Sequence, residues 1–191
     1  ICEVMNQDGR MARLKDLKGF SKKHKLKIGS IEDLISFRLK NEKLIKNISS
    51  KYIYFKKKKY ELIIYKNLID ESYAFVIKKG IFQKSKSIKV RVISKILKKN
   101  LINLSDKQIK NSLNFLSNFN EFALVIIKDQ KSLKQKIFEE SKNNILRYYG
   151  IGAQIIKDLG IKKMILVSRY KKKIIGLEGY GIKITKQEII K

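Results

Sequence analysis

The sequence predicts an α/β (α+β) fold: one strand and two helices at the N-terminus, then a mixed sheet with helices. Short apolar runs with two-residue alternation recur between residues 52 and 93, as expected for strands. The run FALVII at 122–127 has the composition of a buried strand, and helical spacing of apolar residues recurs on both sides of it. With 191 residues and 43% hydrophobic content, the chain is long enough for one substantial domain, or for one domain and a fragment, and can bury a core.

The first 45 residues are predicted to form a separate piece. Residues 1–5 resemble a short buried strand that ends at an Asn-x-Asp-Gly turn over 6–9. Helical spacing predicts a helix over 13–24, and Ser30, three residues before Asp33, has the capping pattern that begins a second helix ending near residue 42. The polar, lysine-rich segment 41–51 is the predicted linker, so the domains are expected at 1–45 and 52–191.

The second domain is predicted to begin with strands and to continue with alternating helices and strands. Four runs indicate antiparallel strands: Tyr52–Phe55, Leu62–Tyr65, Tyr73–Ile77 and Ile88–Ile93. The later predicted elements are a helix over 105–117, a strand over 122–127, a helix over 132–138, a helix over 153–159 that Gly160 ends, a strand over 164–167 and a final strand.

The charge of the chain is strongly positive, with a formal net charge of +28. Such a charge favours nucleic acid or an anionic membrane surface as a partner. However, the basic residues are almost all lysine, whereas arginine makes the bidentate contacts typical of nucleic-acid recognition. The lysine excess and the absence of proline therefore indicate the composition of an AT-rich genome. A basic nucleic-acid-binding module stays an alternative, and no apolar run approaches the roughly 18 residues that cross a bilayer.

Cys2 and His24 are the only residues of their types. An intrachain disulfide is therefore excluded, one chain cannot assemble a Cys/His zinc site, and the protein is expected in the reducing cytoplasm. The opening residues lack a charged leader followed by an apolar stretch, so they are not a signal peptide. Because the chain starts as if inside a strand, we expect it to be the C-terminal portion of a longer protein.

The segment CEVMNQDGRMAR at 2–13, together with KHKLKIGSIEDLISFR at 23–38, resembles the C-terminal part of 3,4-dihydroxy-2-butanone 4-phosphate synthase. From composition alone, Glu3 is either a solvent-facing strand residue or a catalytic acid/base. The resemblance implies the second role, with Glu3 contacting substrate and transferring protons. It also implies conversion of ribulose 5-phosphate to the four-carbon phosphate and formate, a Mg²⁺ or Mn²⁺ cofactor and a homodimer. The metal-binding Glu and His of that family lie upstream of this sequence, and His24 is expected to face solvent.

The segments RYYGIGAQIIKDLGIKKMILVS at 147–168 and GLEGYGI at 176–182 resemble the C-terminal signature of GTP cyclohydrolase II. Gly150 and Gly152 could by spacing cradle a phosphate, but the third glycine of a dinucleotide fingerprint is absent, so we interpret them as turn glycines. The cluster Gly176, Gly179 and Gly181 is predicted to form a turn before the last strand.

This second resemblance departs from the active family at the positions that carry chemistry. Ile93, Ile96 and Lys98 stand where His, Cys and Thr are expected, the phosphate segment after FALVII is replaced by KDQKSL at 128–133, and Ile145 occupies the catalytic aspartate position. Without the three zinc cysteines no water is activated for ring opening, so zinc is not expected and the domain is predicted to be inactive. Three family positions are retained and leave open a nucleotide- or sugar-phosphate-binding regulatory domain: Arg147, Ser168 and Lys173.

Overall fold

The computed structural model describes residues 2–30, 33–34, 37, 41–83, 85–95, 102–128, 142–171 and 177–190, with the backbone alone at 142–149 and 178. The chain divides into two compact units, Ile1–Arg38 and Leu39–Lys191. No helix in these ranges is both long enough and apolar enough to span a bilayer.

The N-terminal unit contains helix α1 at Leu14–His24, as predicted. Its first turn is fixed by Asp16, whose carboxylate accepts the backbone N–H of Arg13 at 2.9 Å. The predicted strand over 1–5 is wrong for the described residues: only an isolated bridge forms, between Met5 and Met11, around a turn in which Gly9 takes φ +80°. A strand needs a paired neighbour to be stable, and this narrow hairpin supplies a single pairing.

The predicted capping pattern before the second helix is present. The backbone N–H of Asp33 donates to Ser30 Oγ at 3.0 Å, and Ser30 Oγ donates to the Asp33 carboxylate at 2.6 Å. The backbone is helical at 33, 34, 37 and 41, while the other positions of the predicted helix lie outside the described residues.

The second unit is built on a seven-stranded mixed sheet. Its strands are β1 (Ile45–Phe55), β2 (Lys58–Asn67), β3 (Tyr73–Lys79), β4 (Ser87–Lys95), β5 (Phe122–Lys128), β6 (Lys163–Ser168) and β7 (Lys183–Ile189). The spatial order is β1-β2-β3-β5-β4-β6-β7; the pairs from β1 to β5 are antiparallel, and β5-β4, β4-β6 and β6-β7 are parallel.

Two predictions about this sheet are wrong. β1 begins at Ile45, inside the segment 41–51 predicted as a linker, because Leu44 and Ile45 are buried against the sheet unit. β4 was expected to be antiparallel, but it runs parallel to both of its neighbours. The other strand predictions are confirmed within a few residues at each end.

Two helices cover opposite faces of the sheet. Helix α2 (Lys107–Leu116) packs Ile109, Leu113 and Leu116 into one apolar cluster. Helix α3 (Lys142–Asp158) packs Ile151 and Ile155 into a second cluster on the other face. The predicted helices over 105–117 and 153–159 are thus confirmed, while 132–138 lies outside the described residues.

The interpretation of Gly150 and Gly152 as turn glycines is wrong, because both lie inside α3. A Cβ on Gly152 would lie 3.4 Å from Ile127 Cδ1 and 3.6 Å from Val92 Cγ1, so α3 sits close to β5 and β4 at this point. The predicted turn before the final strand is present where the structure describes it: a short 3-10 turn at Glu178–Tyr180 leads to Gly181 with φ +71°. Gly176 lies outside the described residues.

Candidate functional site

The carboxyl ends of the parallel strands form the edge of the sheet that is suited to hold a ligand. β4 lies between β5 and β6 in the sheet. From β4 the chain continues through α2 to β5, and from β5 it continues through α3 to β6. These helices lie on opposite faces of the sheet, so the strand order switches direction at β4. In open α/β sheets, ligands bind at this kind of switch in strand order.

Arg91 lies in the middle of β4, one residue beyond the Val90–Leu166 pair with β6, and its environment calls for a ligand. The residue is 4% exposed, and its Nε and Nη1 atoms have no hydrogen-bond partner among the described residues. Burial lowers the pKa of its guanidinium, and the nearby positive charge of Arg169 lowers it further. Two arginines brought together, one of them buried with two unpartnered donor atoms, form a site that an anion would stabilise.

Ser168, predicted from the sequence, lies at the end of β6 on the same edge. It is buried, and its Oγ donates to the backbone oxygen of Tyr170 at 2.7 Å. Its backbone oxygen accepts the N–H of Ile190 at 2.9 Å, which fixes the start of the loop after β6. The hydroxyl proton is therefore engaged in the protein, and its oxygen can still accept a hydrogen bond.

The N-terminus of α2 is already occupied by the protein's own carboxylate. Asp106 accepts the backbone N–H groups of Gln108 at 2.9 Å and Ile109 at 3.2 Å, and forms an ion pair with Lys95. Burial raises the pKa of Asp106, but Lys95 and the two N–H groups outweigh it, and the pKa lies below its ordinary value. Lys95 and this helix end are consequently unavailable to a bound phosphate, which leaves Arg91 and Arg169.

The remaining predicted site residues fall into three groups. Ile93, where active relatives are expected to have His, is 4% exposed and packs in the apolar cluster of α2. Arg147 and Ile145 lie in α3, but their side chains are outside the described part. Four others lie outside it altogether: Ile96, Lys98, Lys173 and the stretch 129–133.

Glu3 and His24 belong to the N-terminal unit. Glu3 is exposed there, and His24 is exposed at the end of α1 with its ring centroid 4.4 Å from that of Phe20. The solvent-facing position expected for His24 is confirmed. The structure leaves the catalytic role of Glu3 a prediction.

The edge residues do not suit the zinc ion of the cyclohydrolase chemistry. The sequence has cysteine only at position 2 and histidine only at position 24, neither of them in the sheet unit. Of the side chains described here, Ile93 is apolar and Arg91 and Lys95 are cationic, types that do not ligate zinc. The Asp106 carboxylate is engaged by Lys95 and by two backbone N–H groups. Likewise, no group of three Asp, Glu, His or Cys side chains comes together within the described ranges.

Sequence reasoning missed Arg91. The available signal was a single arginine inside the apolar strand VRVI, in a chain that otherwise uses lysine almost everywhere. An exposed lysine needs no special reason, whereas a buried guanidinium needs a structural or binding one.

The sheet unit is an α/β domain with helices on both faces and a basic carboxyl edge, the class of fold that binds anionic ligands where the strand order reverses. The family model of GTP cyclohydrolase II matches residues 47–188, and the chain belongs to that family. A second model, 3,4-dihydroxy-2-butanone 4-phosphate synthase, matches residues 1–37. Both resemblances read from the sequence are thereby confirmed at the level of family.

Individual relatives include a riboflavin biosynthesis protein and a 3,4-dihydroxy-2-butanone 4-phosphate synthase. The chain is 36% identical over 94 residues to the riboflavin biosynthesis protein RibBA of Endomicrobium trichonymphae, covering 49% of this chain and 23% of that protein. It is 56% identical over 45 residues to the 3,4-dihydroxy-2-butanone 4-phosphate synthase of Wolinella succinogenes, covering 24% of this chain and 13% of that protein.

Among solved structures, RibBX of A. baumannii, described as a two-domain 3,4-dihydroxy-2-butanone 4-phosphate synthase, is similar with a TM-score of 0.67 and 28% identity. That similarity covers 100% of this chain and 53% of RibBX. The chain thus spans about half of this structural relative and a quarter or less of the two curated ones.

Proposed function

We propose that the chain acts in riboflavin biosynthesis as the C-terminal part of a 3,4-dihydroxy-2-butanone 4-phosphate synthase with an appended cyclohydrolase II-like domain that has lost catalysis. The parent protein converts D-ribulose 5-phosphate to the four-carbon phosphate and formate. The order of the two family matches, synthase first and cyclohydrolase second, supports this arrangement. We also expect the parent protein to be a cytoplasmic homodimer.

The observation that carries the loss of cyclohydrolase activity is the burial of Ile93. At the end of β4, where the active family is expected to place a histidine beside its zinc ligands, this chain buries an isoleucine in the core of the α2 face. An alkyl side chain in that position binds neither a metal nor a polar substrate, and it cannot take a proton.

In the synthase reaction we assign Glu3 the role of the carboxylate that contacts substrate and moves a proton. The Mg²⁺ or Mn²⁺ ion would polarise the sugar oxygens, and its Glu and His ligands would come from the part of the synthase upstream of residue 1. This chain alone is therefore expected to be inactive.

Complementation separates the two activities. The longest native protein that contains this chain is expressed in a strain that lacks the synthase and in a strain that lacks cyclohydrolase II. We expect growth without riboflavin in the first strain only. Growth of the second strain would contradict the loss of cyclohydrolase activity, and no growth of the first would contradict the synthase function.

The role of Glu3 is tested in the same parent protein by formate release from ribulose 5-phosphate. Glu3→Gln should lower kcat by about 10²–10⁴-fold, the range for removal of a general acid or base. Glu71→Gln is the matched control, since its carboxylate is 78% exposed and pairs only with Lys66 among the described residues. Full activity of the Glu3 variant would refute the assignment.

A second candidate function is that the sheet edge binds a nucleotide or a sugar phosphate and regulates the attached synthase. The unpartnered Nε and Nη1 atoms of Arg91, next to Arg169 and Ser168, support it. Arg147 and Lys173 would complete the site. Calorimetry with GTP and with ribulose 5-phosphate should show affinity that Arg91→Met and Lys173→Ala each weaken at least tenfold; no binding of either ligand to the unmodified protein would eliminate this candidate.

A further inference from the structure

The β1-β2 hairpin carries a dense cationic and aromatic surface that the proposed synthase role does not use. We define the hairpin surface as Tyr52, Tyr54 and Lys56–Lys59. Between positions 45 and 60 the sequence has six lysines and no Asp or Glu. All members of the surface are exposed, and Tyr52 and Tyr54 are 64% and 68% exposed.

The two tyrosines lie on one face of the sheet. They are two positions apart on β1, so they project to the same side with a spacing of about 6.8 Å. Tyr54 pairs with Lys59 across the strands, and Lys59 Nζ lies 3.7 Å from the centroid of the Tyr52 ring. Cations and exposed rings are therefore interleaved at one place.

The turn of the hairpin places two further lysines at its tip. Lys56 and Lys57 adopt φ of +48° and +61°, the left-handed region in which Asn and Gly are preferred in a two-residue hairpin turn. Lysine is unfavourable at both positions for folding alone. Backbone strain of this kind concentrates at functional sites, and here it presents two ammonium groups at an exposed tip.

The acid next to this surface is already neutralised. Glu61 pairs with Lys78 at 3.0 Å and accepts a hydrogen bond from Ser50 at 2.8 Å. Beside it, Tyr52, Lys59 and Lys78 line a shallow depression of about 360 Å³ that ends at Gly80 and Ile81. The surface thus offers exposed tyrosine rings, positive charge and room for a flat group.

We propose that the hairpin surface binds single-stranded nucleic acid without sequence preference. Bases stack on Tyr52 and Tyr54, and the lysines of the turn bind the phosphates. Exposed aromatic residues on a sheet, flanked by cations, are the arrangement that stacks successive unpaired bases. The use of lysine instead of arginine fits this mode, since stacking and phosphate attraction need no bidentate contacts to base edges.

The test is fluorescence anisotropy with a fluorescein-labelled twelve-nucleotide oligouridine, measured on the unmodified chain over a range of salt concentrations. Tyr52→Ala and Tyr54→Ala should each weaken binding about fivefold or more, the lower limit for loss of one stacked base. Replacing Lys56–Lys59 by Gln should reduce the slope of log affinity against log salt by about 2.8, from about 0.7 per phosphate contact on a single strand.

The matched control replaces four exposed lysines in the N-terminal unit by Gln: Lys22, Lys23, Lys25 and Lys27. It removes the same charge, and we expect it to retain most of the affinity. The proposal is overturned if the control weakens binding as much as the hairpin variant, if a heparin fragment of equal charge binds as well as the oligonucleotide, or if both tyrosine variants bind normally. Light scattering gives the molecular mass of the hairpin variants. If that mass changes while oligonucleotide binding does not, β1 pairs with a second copy of the chain, and the proposal is also overturned.

Discussion

Replacing the buried Arg91 by Met should stabilise the sheet unit when no anion is present. Nε and Nη1 have no described hydrogen-bond partner, and a buried unsatisfied donor costs about 1–3 kcal/mol. Methionine keeps most of the length of the side chain and removes both donors and the charge. We therefore expect Arg91→Met to raise the free energy of unfolding by about 1–3 kcal/mol in a buffer without multivalent anions.

Tyrosine fluorescence during urea unfolding is the appropriate measurement. The nine tyrosines all lie at positions 52 and beyond, so the signal reports on the sheet unit and not on residues 1–38. Inorganic phosphate at ten times its dissociation constant should add about 1.4 kcal/mol to the unmodified protein and nothing to Arg91→Met. Lys157→Met is the control, because Lys157 is an exposed cation of the same unit.

Two results together would refute this reasoning. One is a loss of more than about 1 kcal/mol for Arg91→Met in the phosphate-free buffer, a typical cost of deleting a satisfied buried group. The other is an equal increase in unfolding free energy when phosphate is added to the unmodified protein and to Arg91→Met. Arg91 would then be a structural residue, satisfied within the folded chain, and the edge would hold no anion.

Four further substitutions, at three positions, test the packing of the sheet unit by the same urea titration. Asp106→Ala should cost about 1–2 kcal/mol of unfolding free energy at pH 7, because the helix cap is lost. The pKa of Asp106 is lowered in the folded state, so its stabilising contribution is present above its unfolded pKa and is lost as the pH falls through its folded pKa. A stability difference from wild type that persists undiminished at pH 2 would contradict this prediction. Gly152→Ala should stabilise the sheet unit by about 0.5–1 kcal/mol, because the added Cβ makes only an ordinary contact with Ile127. Gly152→Leu should destabilise it by about 1–3 kcal/mol. A stable Leu variant would show that α3 is not held close to the sheet. Gly80→Ala should destabilise by about 1–3 kcal/mol, because Gly80 takes φ +87° and a Cβ would lie 2.8 Å from the backbone oxygen of Asn120, and an unchanged stability would show that this turn relaxes freely.

The elements whose signal is local were predictable from the sequence. The apolar spacing of α2 and the composition FALVII of β5 each determine the type of element, and both are present. The direction of β4 was not predictable from its own residues, since alternation of apolar and polar positions is the same for parallel and antiparallel strands. The helix between β4 and β5 was the better signal, because parallel neighbours need a crossover of a dozen or more residues.

The errors at Ile45 and at Gly150 and Gly152 have a common cause, which is tertiary contact. A lysine-rich segment reads as a linker until its few apolar members, such as Ile45, are buried by the rest of the unit. Glycine inside a helix costs about 1 kcal/mol relative to alanine, so sequence reasoning assigns it to a turn. At Gly152 the helix α3 lies close enough to β5 that a small side chain fits and a large one would not.

The residues of the candidate site show the same difference between local sequence signals and tertiary contacts. Ser168 could be proposed because a family motif covers it, and Ile93 because it departs from one. Arg91 lies in the strand segment that resembles the family, but the resemblance gives it no role. Its significance lies in its burial and in its unpartnered atoms, which only the packed structure displays.

The domain can keep its fold and lose its catalytic activity, because the fold and the catalysis depend on different residues. The two apolar clusters hold the helices to the sheet through positions such as Leu124 and Val125, which point to opposite faces of β5. An isoleucine at position 93 adds apolar surface to one of those clusters, and burial of such a side chain stabilises by about 1.5–3 kcal/mol. A substitution that abolishes metal chemistry at the end of β4 can therefore strengthen the core. On this argument the domain could remain folded without its catalytic residues, and any selection still acting on the edge should be sought at Arg91, where burial without a partner works against stability.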